Sequence, residues 1–168
     1  MSLEQVRARC ERLLEETDVP TPFAIDEFCR RLAEQRGRPI TLVPLGQTDQ
    51  SLASGAWVEL ADRDVILHDA ETTPYHQQLI VAHEVGHMLC NHYPNSSFAD
   101  EVAGLLPNLD PALVRRILSR ADYSREEEQE AEVFATLLLR RAERLPNEAP
   151  AGQDERALLT ELGSTFEE

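Results

Sequence analysis

The segment His83-Glu84-Val85-Gly86-His87 contains the residues whose types and spacing point most directly to chemistry. On a helix, His83 and His87 lie one turn apart on the same face, where both imidazoles can bind one tetrahedral metal ion. Glu84 is rotated away from this pair and can contact a water molecule at the open position of the metal. Its carboxylate can act there as a general base and then as a general acid. The motif therefore predicts a hydrolytic zinc site with one zinc ion per chain.

A hydrolytic zinc site needs a third protein ligand as well as an open position. The extended pattern H-E-x-x-H-x-x-G-x-x-H is excluded, because Cys90 and Tyr93 occupy its Gly and His positions and His92 is one residue out of register. The other known arrangement takes a glutamate from a second helix downstream. The acidic segment 124–135 supplies several candidates for that glutamate.

Together the two motifs resemble the ImmA/IrrE family of metallo-endopeptidases. The H-E-V-G-H segment is followed by E-Q-E-A-E-V-F-A-T-L-L-L, which is similar to the family pattern E-x-x-A-N/D-x-F-A with a Leu pair after it. The resemblance covers about residues 25–140. It implies that Glu128 is the third zinc ligand, with Glu130 as the alternative. It also implies that position 132 orients a ligand histidine, although Glu132 departs from the Asn or Asp of the family.

The same resemblance implies a function: cleavage of a peptide bond in a protein substrate. The expected partner is a helix-turn-helix transcriptional repressor encoded nearby, which would give the protein a part in transcription regulation and stress response. Two other classes remain open. One is a non-catalytic binding module that sequesters a transcription factor and uses zinc only for its fold. The other is an interaction domain without a metal.

Hydrophobic periodicity indicates which elements must position the two motifs. A helix is predicted from Pro74, with Thr73 as its N-cap, to about residue 92, and its apolar middle predicts a buried position. A second long helix is predicted from a capping box of Ser124 and Glu127 to about residue 144. The first helix carries the histidines and the second carries the acidic candidates.

The remaining segments predict a small sheet and flanking helices. An amphipathic helix at 2–16 has a Ser2–Gln5 capping box, and a second runs from Pro22 to Arg36 and is closed by Gly37. Strands are predicted at 39–45, 55–60 and 64–68, the last two as a β-hairpin, and short helices at 97–106, 111–121 and 154–162. We therefore predict an α+β fold in which a small mixed sheet of about three strands packs on the central zinc-binding helix.

Length and composition limit the class of protein. The 168 residues suffice for one domain, predicted at 1–145, followed by a loosely packed tail at 146–168. A formal net charge of -15 argues against direct nucleic-acid binding and against an anionic membrane surface. No segment resembles a signal peptide or a membrane span, and three widely spaced cysteines form no disulfide framework. These features predict a cytoplasmic protein.

Several side chains near the motifs could donate a hydrogen bond to the oxyanion that develops during peptide hydrolysis. The sequence does not choose among the candidates, which are His68, His76, Tyr75, Tyr93 and Tyr123. Cys90 follows the second histidine by three residues. We expect it to be a small buried hydrophobic residue, the alternative being a thiolate at the open zinc position.

Overall fold

The computed structural model describes residues 1–46, 55–93, 104 and 123–144. Within these ranges the helices are Leu3–Glu15 (α1), Ile25–Arg36 (α2), Pro74–Leu89 (α3) and Arg125–Arg144 (α4), and the strands are Ile40–Leu45 (β1), Gly55–Glu59 (β2) and Asp64–Asp69 (β3). The predicted α+β fold with a small mixed sheet and flanking helices is confirmed. Apart from Gly104, the predicted helices at 97–106 and 111–121 lie outside the described residues, as does the tail at 146–168.

The sheet has the strand order β1-β3-β2, so the last strand in the sequence lies in its middle. β2 and β3 form the predicted antiparallel hairpin, with Trp57 opposite Ile66. β1 runs parallel to β3, with Leu42 opposite the same Ile66. Consequently β2 lies at one edge of the sheet, and this edge strand contacts α3.

Predicted capping residues begin three of the four helices. At α1 the Ser2 backbone N–H donates to the Gln5 side chain, and the Gln5 backbone N–H donates to the Ser2 hydroxyl, at 2.8 and 3.3 Å. Ser124 and Glu127 exchange the same two bonds at the start of α4. The Thr73 hydroxyl caps α3, directly before Pro74. Each cap satisfies backbone donors that a helix leaves without partners.

The predicted start of α2 is wrong. The helix begins at Ile25 rather than at Pro22, and its N-cap is Ala24, whose backbone is extended and whose side chain cannot cap. Its end is as predicted, because Gly37 adopts the left-handed conformation, φ 64°, that favours glycine after a helix.

A buried carboxylate fixes the hairpin against the second helix. Asp64, at the start of β3, is fully buried and accepts a hydrogen bond from the Trp57 indole at 3.0 Å. Its other oxygen accepts from Arg36 and Arg38 at 2.8 and 3.1 Å. Because a buried charge is costly without partners, this cluster holds β2, β3 and the end of α2 in one arrangement.

Helix α3 is the central element of the hydrophobic core. One side contacts β2 and β3, the other contacts α4, and α4 in turn packs on α1. The core side chains of α3 include Val81, Val85 and Met88, which belong to the same cluster as Trp57 and Phe134. In the part of the chain that the structure describes, no helix is long and apolar enough to cross a membrane.

Helices α3 and α4 are in close contact at Gly86. A Cβ atom added there would lie 3.0 Å from both the Cα and the carbonyl oxygen of Ala131 on α4, and 3.3 Å from Cβ of Phe134. Such contacts are shorter than ordinary van der Waals distances. The absence of a side chain at position 86 therefore sets the distance between α3 and α4.

Replacing Gly86 with Val is expected to destabilise the protein by about 1–3 kcal/mol, because the added atoms force two packed helix backbones apart. Urea denaturation of the metal-free protein measures this directly. Thr136→Val, at an exposed position of α4, is the control and should change stability by less than about 0.5 kcal/mol. An unchanged denaturation midpoint for the Gly86 variant would contradict the close packing of the two helices.

Candidate metal centre

Helix α3 places the two histidines of the H-E-x-x-H motif side by side. The Nε2 atoms of His83 and His87 are 3.1 Å apart, and the two rings meet edge to face with centroids separated by 4.8 Å. This follows from their spacing, since residues four apart on a helix project from the same face. Two nitrogen atoms that can bind a metal therefore point at one place.

Helix α4 adds a carboxylate to this pair. Glu128 Oε2 is 3.2 Å from His83 Nε2, and its Oε1 is 3.6 Å from His87 Nε2. One ligand atom from each of the three residues lies within 4.8 Å of the others. The contact of Gly86 with Ala131 lies between the two histidines on α3 and three residues after Glu128 on α4. Close helix packing thus brings together the two motif histidines and Glu128, the glutamate that the resemblance implies.

The three side chains differ in their access to solvent. The His87 side chain is 1% exposed, that of His83 27% and that of Glu128 49%. The group is therefore anchored in the core on one side and open on the other. A site that must admit a substrate needs such an open side.

Glu84 is buried beside this group, under the edge strand β2. Only 5% of the residue is exposed, and a Cβ atom added to Gly55 of β2 would lie 3.2 Å from its Cγ. Burial, reinforced by the charge of Glu128, raises the pKa of Glu84 from 4.5 to about 8, against the opposing effect of a hydrogen bond from the Trp57 backbone. Its carboxyl group can therefore take up and release a proton near neutral pH.

The ring of His87 is held in place by an aromatic neighbour. Tyr123 stacks on it with ring centroids 3.7 Å apart and planes inclined by 13°. Burial, together with the nearby His83 and His92, lowers the pKa of His87 to about 3. The imidazole is consequently neutral at physiological pH, which is the form that binds a metal. Burial also raises the pKa of Tyr123, so its hydroxyl keeps its proton.

The chemistry of these groups fits a zinc ion. Two imidazole nitrogens and one carboxylate are a typical ligand set of catalytic zinc, which keeps its fourth position open. Two buried polar atoms nearby, Glu84 Oε2 and the Tyr123 hydroxyl, have no hydrogen-bond partner within the described ranges. Buried polar atoms are rarely left without partners. A water molecule and a substrate carbonyl held at the ion would provide them.

The shifted pKa values of Glu84 and His87 make opposite contributions to the pH dependence of the stability of the metal-free protein. Because the pKa of Glu84 is raised from 4.5 to about 8, its contribution is present below pH 4.5 and is lost as pH rises to 8. Because the pKa of His87 is lowered from 6.5 to about 3, its contribution is present above pH 6.5 and is lost as pH falls. Between pH 6.5 and 8 the loss from Glu84 exceeds the small remaining gain from His87, so the two groups together should make stability fall as pH rises.

Urea denaturation in the presence of a chelator tests this dependence. We expect Glu84→Gln to lose less stability than the native chain between pH 6.5 and 8, since glutamine does not ionise. Glu132→Gln, at an exposed position, should retain the native slope. Equal slopes for all three proteins would show that Glu84 titrates normally.

His92 also contacts the site, although its position does not match the extended metal-binding pattern. Helix α3 ends at Leu89 instead of residue 92, because Asn91 adopts a left-handed conformation with φ 59°. The backbone N–H groups of Asn91 and His92 then donate to the carbonyls of Met88 and His87, at 3.3 and 3.0 Å, which is a Schellman motif. This turn folds the His92 ring back until its Nδ1 is 3.0 Å from Nδ1 of His87. The signal in the sequence is Asn91, the residue after glycine that most often ends a helix in this way.

Glu130, the alternative third ligand, has other partners. Its Oε2 is 2.7 Å from His92 Nε2 and its Oε1 is 2.9 Å from Nη1 of Arg9. Glu132 is exposed, and in the described part of the chain it makes no hydrogen bond to either ligand histidine. The residue that contacts His87 in the structure is His92, whereas the resemblance implies position 132.

Cys90 is buried, as predicted, with 3% of its surface exposed. It lies in a second group of potential metal ligands with Cys10 and Glu130, whose atoms are also within 4.8 Å of one another. The Arg9 guanidinium contacts this group, donating to the Cys90 carbonyl at 3.1 Å. Its positive charge opposes a cation there, so the histidine pair with Glu128 is the better candidate for a metal site.

One of the predicted oxyanion donors, Tyr123, contacts the histidine pair directly. Tyr75 and Tyr93 are 58% and 62% exposed, and His76 is also exposed. His68 is buried at the end of β3, where its Nδ1 is 3.3 Å from the Asp69 carbonyl. Of the five candidates, Tyr123 is the one that stacks directly on His87.

Comparisons with known proteins leave the chain without a family assignment. No protein-family model matches it, and no curated protein matches it. The interpretation of the site therefore rests on the motif, its geometry and its chemistry.

Proposed function

We propose that this chain is a zinc-dependent endopeptidase of the ImmA/IrrE type, which hydrolyses a peptide bond in a protein substrate. The observation that carries the proposal is the convergence of His83, His87 and Glu128 within 4.8 Å. Beside them lies the buried carboxyl group of Glu84, whose Oε2 has no partner among the described residues. Metal ligands and an acid–base group with a shifted pKa are the two parts that such hydrolysis requires.

Each side chain has a separate role in the proposed reaction. His83, His87 and Glu128 would hold the ion; when bound, zinc supplies a Lewis acid that polarises the scissile carbonyl and activates water. Glu84 takes a proton from the attacking water and later gives it to the leaving amine. Burial raises the pKa of Glu84 to about 8, so both transfers are possible near neutral pH.

Two neighbouring features suit the binding of a peptide. The Tyr123 hydroxyl is buried and protonated, and it can donate a hydrogen bond to the developing oxyanion. The edge strand β2 runs beside Glu84, and the Trp57 backbone of this strand hydrogen-bonds to that carboxylate. The outer edge of β2 therefore faces the site, where an extended substrate could add as a further strand.

The proposed substrate is a helix-turn-helix transcriptional repressor, and the proposed compartment is the cytoplasm. The substrate class comes from the resemblance of the two sequence motifs to the ImmA/IrrE family. The compartment is supported by Cys10, Cys29 and Cys90, which are all buried free thiols. The net charge of -15 supports a protein partner over a nucleic acid.

The test is to incubate the zinc-loaded protein with a purified helix-turn-helix repressor encoded beside its gene. Mass spectrometry of the products should show one or a few new chain ends, and a chelator should prevent their appearance. An intact repressor that stays bound to the protein would instead support the non-catalytic binding module. A purified protein that takes up no zinc would favour an interaction domain without a metal.

A further inference from the structure

Behind the metal centre, His87 continues into a buried chain of polar groups that the proposed reaction does not use. Its Nδ1 is 3.0 Å from Nδ1 of His92, whose Nε2 is 2.7 Å from Glu130 Oε2. The other Glu130 oxygen is 2.9 Å from Nη1 of Arg9. His92 and Glu130 are each only 4% exposed. Buried polar groups in an unbroken series need a physical reason, since hydrophobic packing would serve stability as well.

If His92 is neutral, the donor and the acceptor of each hydrogen bond in this series of polar groups are fixed. A carboxylate accepts hydrogen bonds and cannot donate them, so the Nε2 of His92 must carry the proton that faces Glu130. A neutral imidazole has one N–H, which leaves Nδ1 of His92 as an acceptor. Nδ1 of His87 must then donate to it. The lone pair of His87 Nε2 is thereby left pointing at His83 and Glu128.

We infer that His92, held by Glu130 and Arg9, is a positioning residue that fixes the ring of His87 in the tautomer whose Nε2 is free for a metal ion. This inference rests on the proposed metal site. A ligand histidine commonly donates its second N–H to a carboxylate or a carbonyl. Here a second histidine stands between the ligand and the carboxylate, so the ligand is oriented through two hydrogen bonds.

Three helices hold these buried polar groups in place, so the groups can fix the orientation of the His87 ring. Arg9 on α1 also donates to the Cys90 carbonyl at the end of α3, at 3.1 Å. The Cys10 thiol donates to the Glu130 backbone carbonyl on α4, at 3.6 Å. The backbone of His92 is itself fixed by the turn at the end of α3. Rotation of either imidazole would break hydrogen bonds that nothing else in these contacts replaces.

The first test needs no metal. Long-range ¹H–¹⁵N correlation spectra of the metal-free protein identify which ring nitrogen of each histidine carries the proton. We expect His87 to be protonated at Nδ1 and His92 at Nε2. Protonation of His87 at Nε2 in the native chain would overturn the inference, whatever the protein does with zinc.

The second test measures zinc affinity by competition with a chelator, using two substitutions of one residue. His92→Leu removes both hydrogen bonds and should weaken zinc binding about 10–100-fold, with loss of the Nδ1–H tautomer of His87. His92→Gln keeps an acceptor and a donor, and it should recover most of the affinity. His76→Leu, an exposed histidine at the start of the same helix, is the matched control and should bind zinc normally.

The outcomes separate this inference from the proposed function. If the native chain binds no zinc, the proposed function fails, while the tautomer of His87 still tests the inference. If native and His92→Leu proteins bind zinc equally and keep the same His87 tautomer, the inference fails and the metal site stands. A His92→Leu protein that does not fold leaves the native tautomer and the His92→Gln affinity to decide.

Discussion

Replacing Glu84 with Gln is expected to abolish peptide cleavage while leaving one zinc ion bound to each chain. The loss should be at least about 10²–10⁴-fold, the usual contribution of a positioned acid–base group. Glutamine has nearly the same shape, and its amide oxygen can still accept the hydrogen bond from the Trp57 backbone. It cannot, however, take a proton from water. The measurement combines the rate of repressor cleavage with the metal content of the purified variant.

The control for this experiment is a glutamate on α4 that makes no contact with the metal centre. Glu132→Gln is exposed and should cleave at the native rate. A Glu84→Gln protein that still cleaves the repressor would contradict the proposed acid–base role. Loss of zinc from the same variant would make Glu84 a ligand, which its burial on the side of β2 argues against.

Replacing Glu128 with Ala is expected to lower zinc affinity by more than about 100-fold, the upper end of the loss for an outer hydrogen-bonding partner. Among the described residues, Glu128 supplies the carboxylate whose oxygens lie 3.2 Å from His83 Nε2 and 3.6 Å from His87 Nε2. Its side chain is half exposed, so its removal should leave the folded core intact. Equilibrium competition with a chelator measures the affinity, and thermal denaturation of the metal-free variant checks the fold.

Two further substitutions make the assignment of the third ligand decisive. Glu126→Ala, at an exposed position in the first turn of α4, should bind zinc normally. Glu130→Ala should lose less affinity than Glu128→Ala, because Glu130 acts through His92 and not on the metal. If Glu130→Ala loses more zinc affinity than Glu128→Ala, the third ligand is Glu130 and not Glu128.

The part of the site that could be predicted from the sequence depends on regular local geometry. His83 and His87 converge because a helix places residues four apart on one face, whatever surrounds it. The hairpin of β2 and β3 and the caps at Ser2 and Thr73 are equally local features. Each depends on residues a few positions apart, and the sequence displays those directly.

The rest of the site depends on contacts between distant parts of the chain. Arg9 contacts Glu130 only because α1 packs on α4, and the sequence of neither helix predicts that contact. His92 reaches His87 because α3 ends at Leu89 and the chain turns at Asn91, a turn that hydrophobic periodicity does not indicate. The sequence shows candidate groups, whereas packing decides which of them meet.

The sheet and the second helix illustrate the same limit. The parallel pairing of β1 with β3 places β3 in the middle, although β1 and β2 are neighbours in the sequence. The start of α2 at Ile25 was missed because Ala24 gives no capping signal, whereas Thr21-Pro22 gives a strong but misleading one. A pattern of residue types indicates where an element can begin, and competition with the rest of the fold determines where it does.

The contact of Gly86 with Ala131 places two structural requirements on position 86. Because Gly86 has no side chain, α3 and α4 can pack closely in the core, and Glu128 on α4 can lie close to the histidines on α3. Among functional variants of this chain, position 86 should therefore tolerate almost no exchange, even though its residue touches neither metal nor substrate. Substitutions of Glu128 would remove metal binding alone. Substitutions of Gly86 would reduce both stability and metal binding, and the loss would grow with the volume of the added side chain.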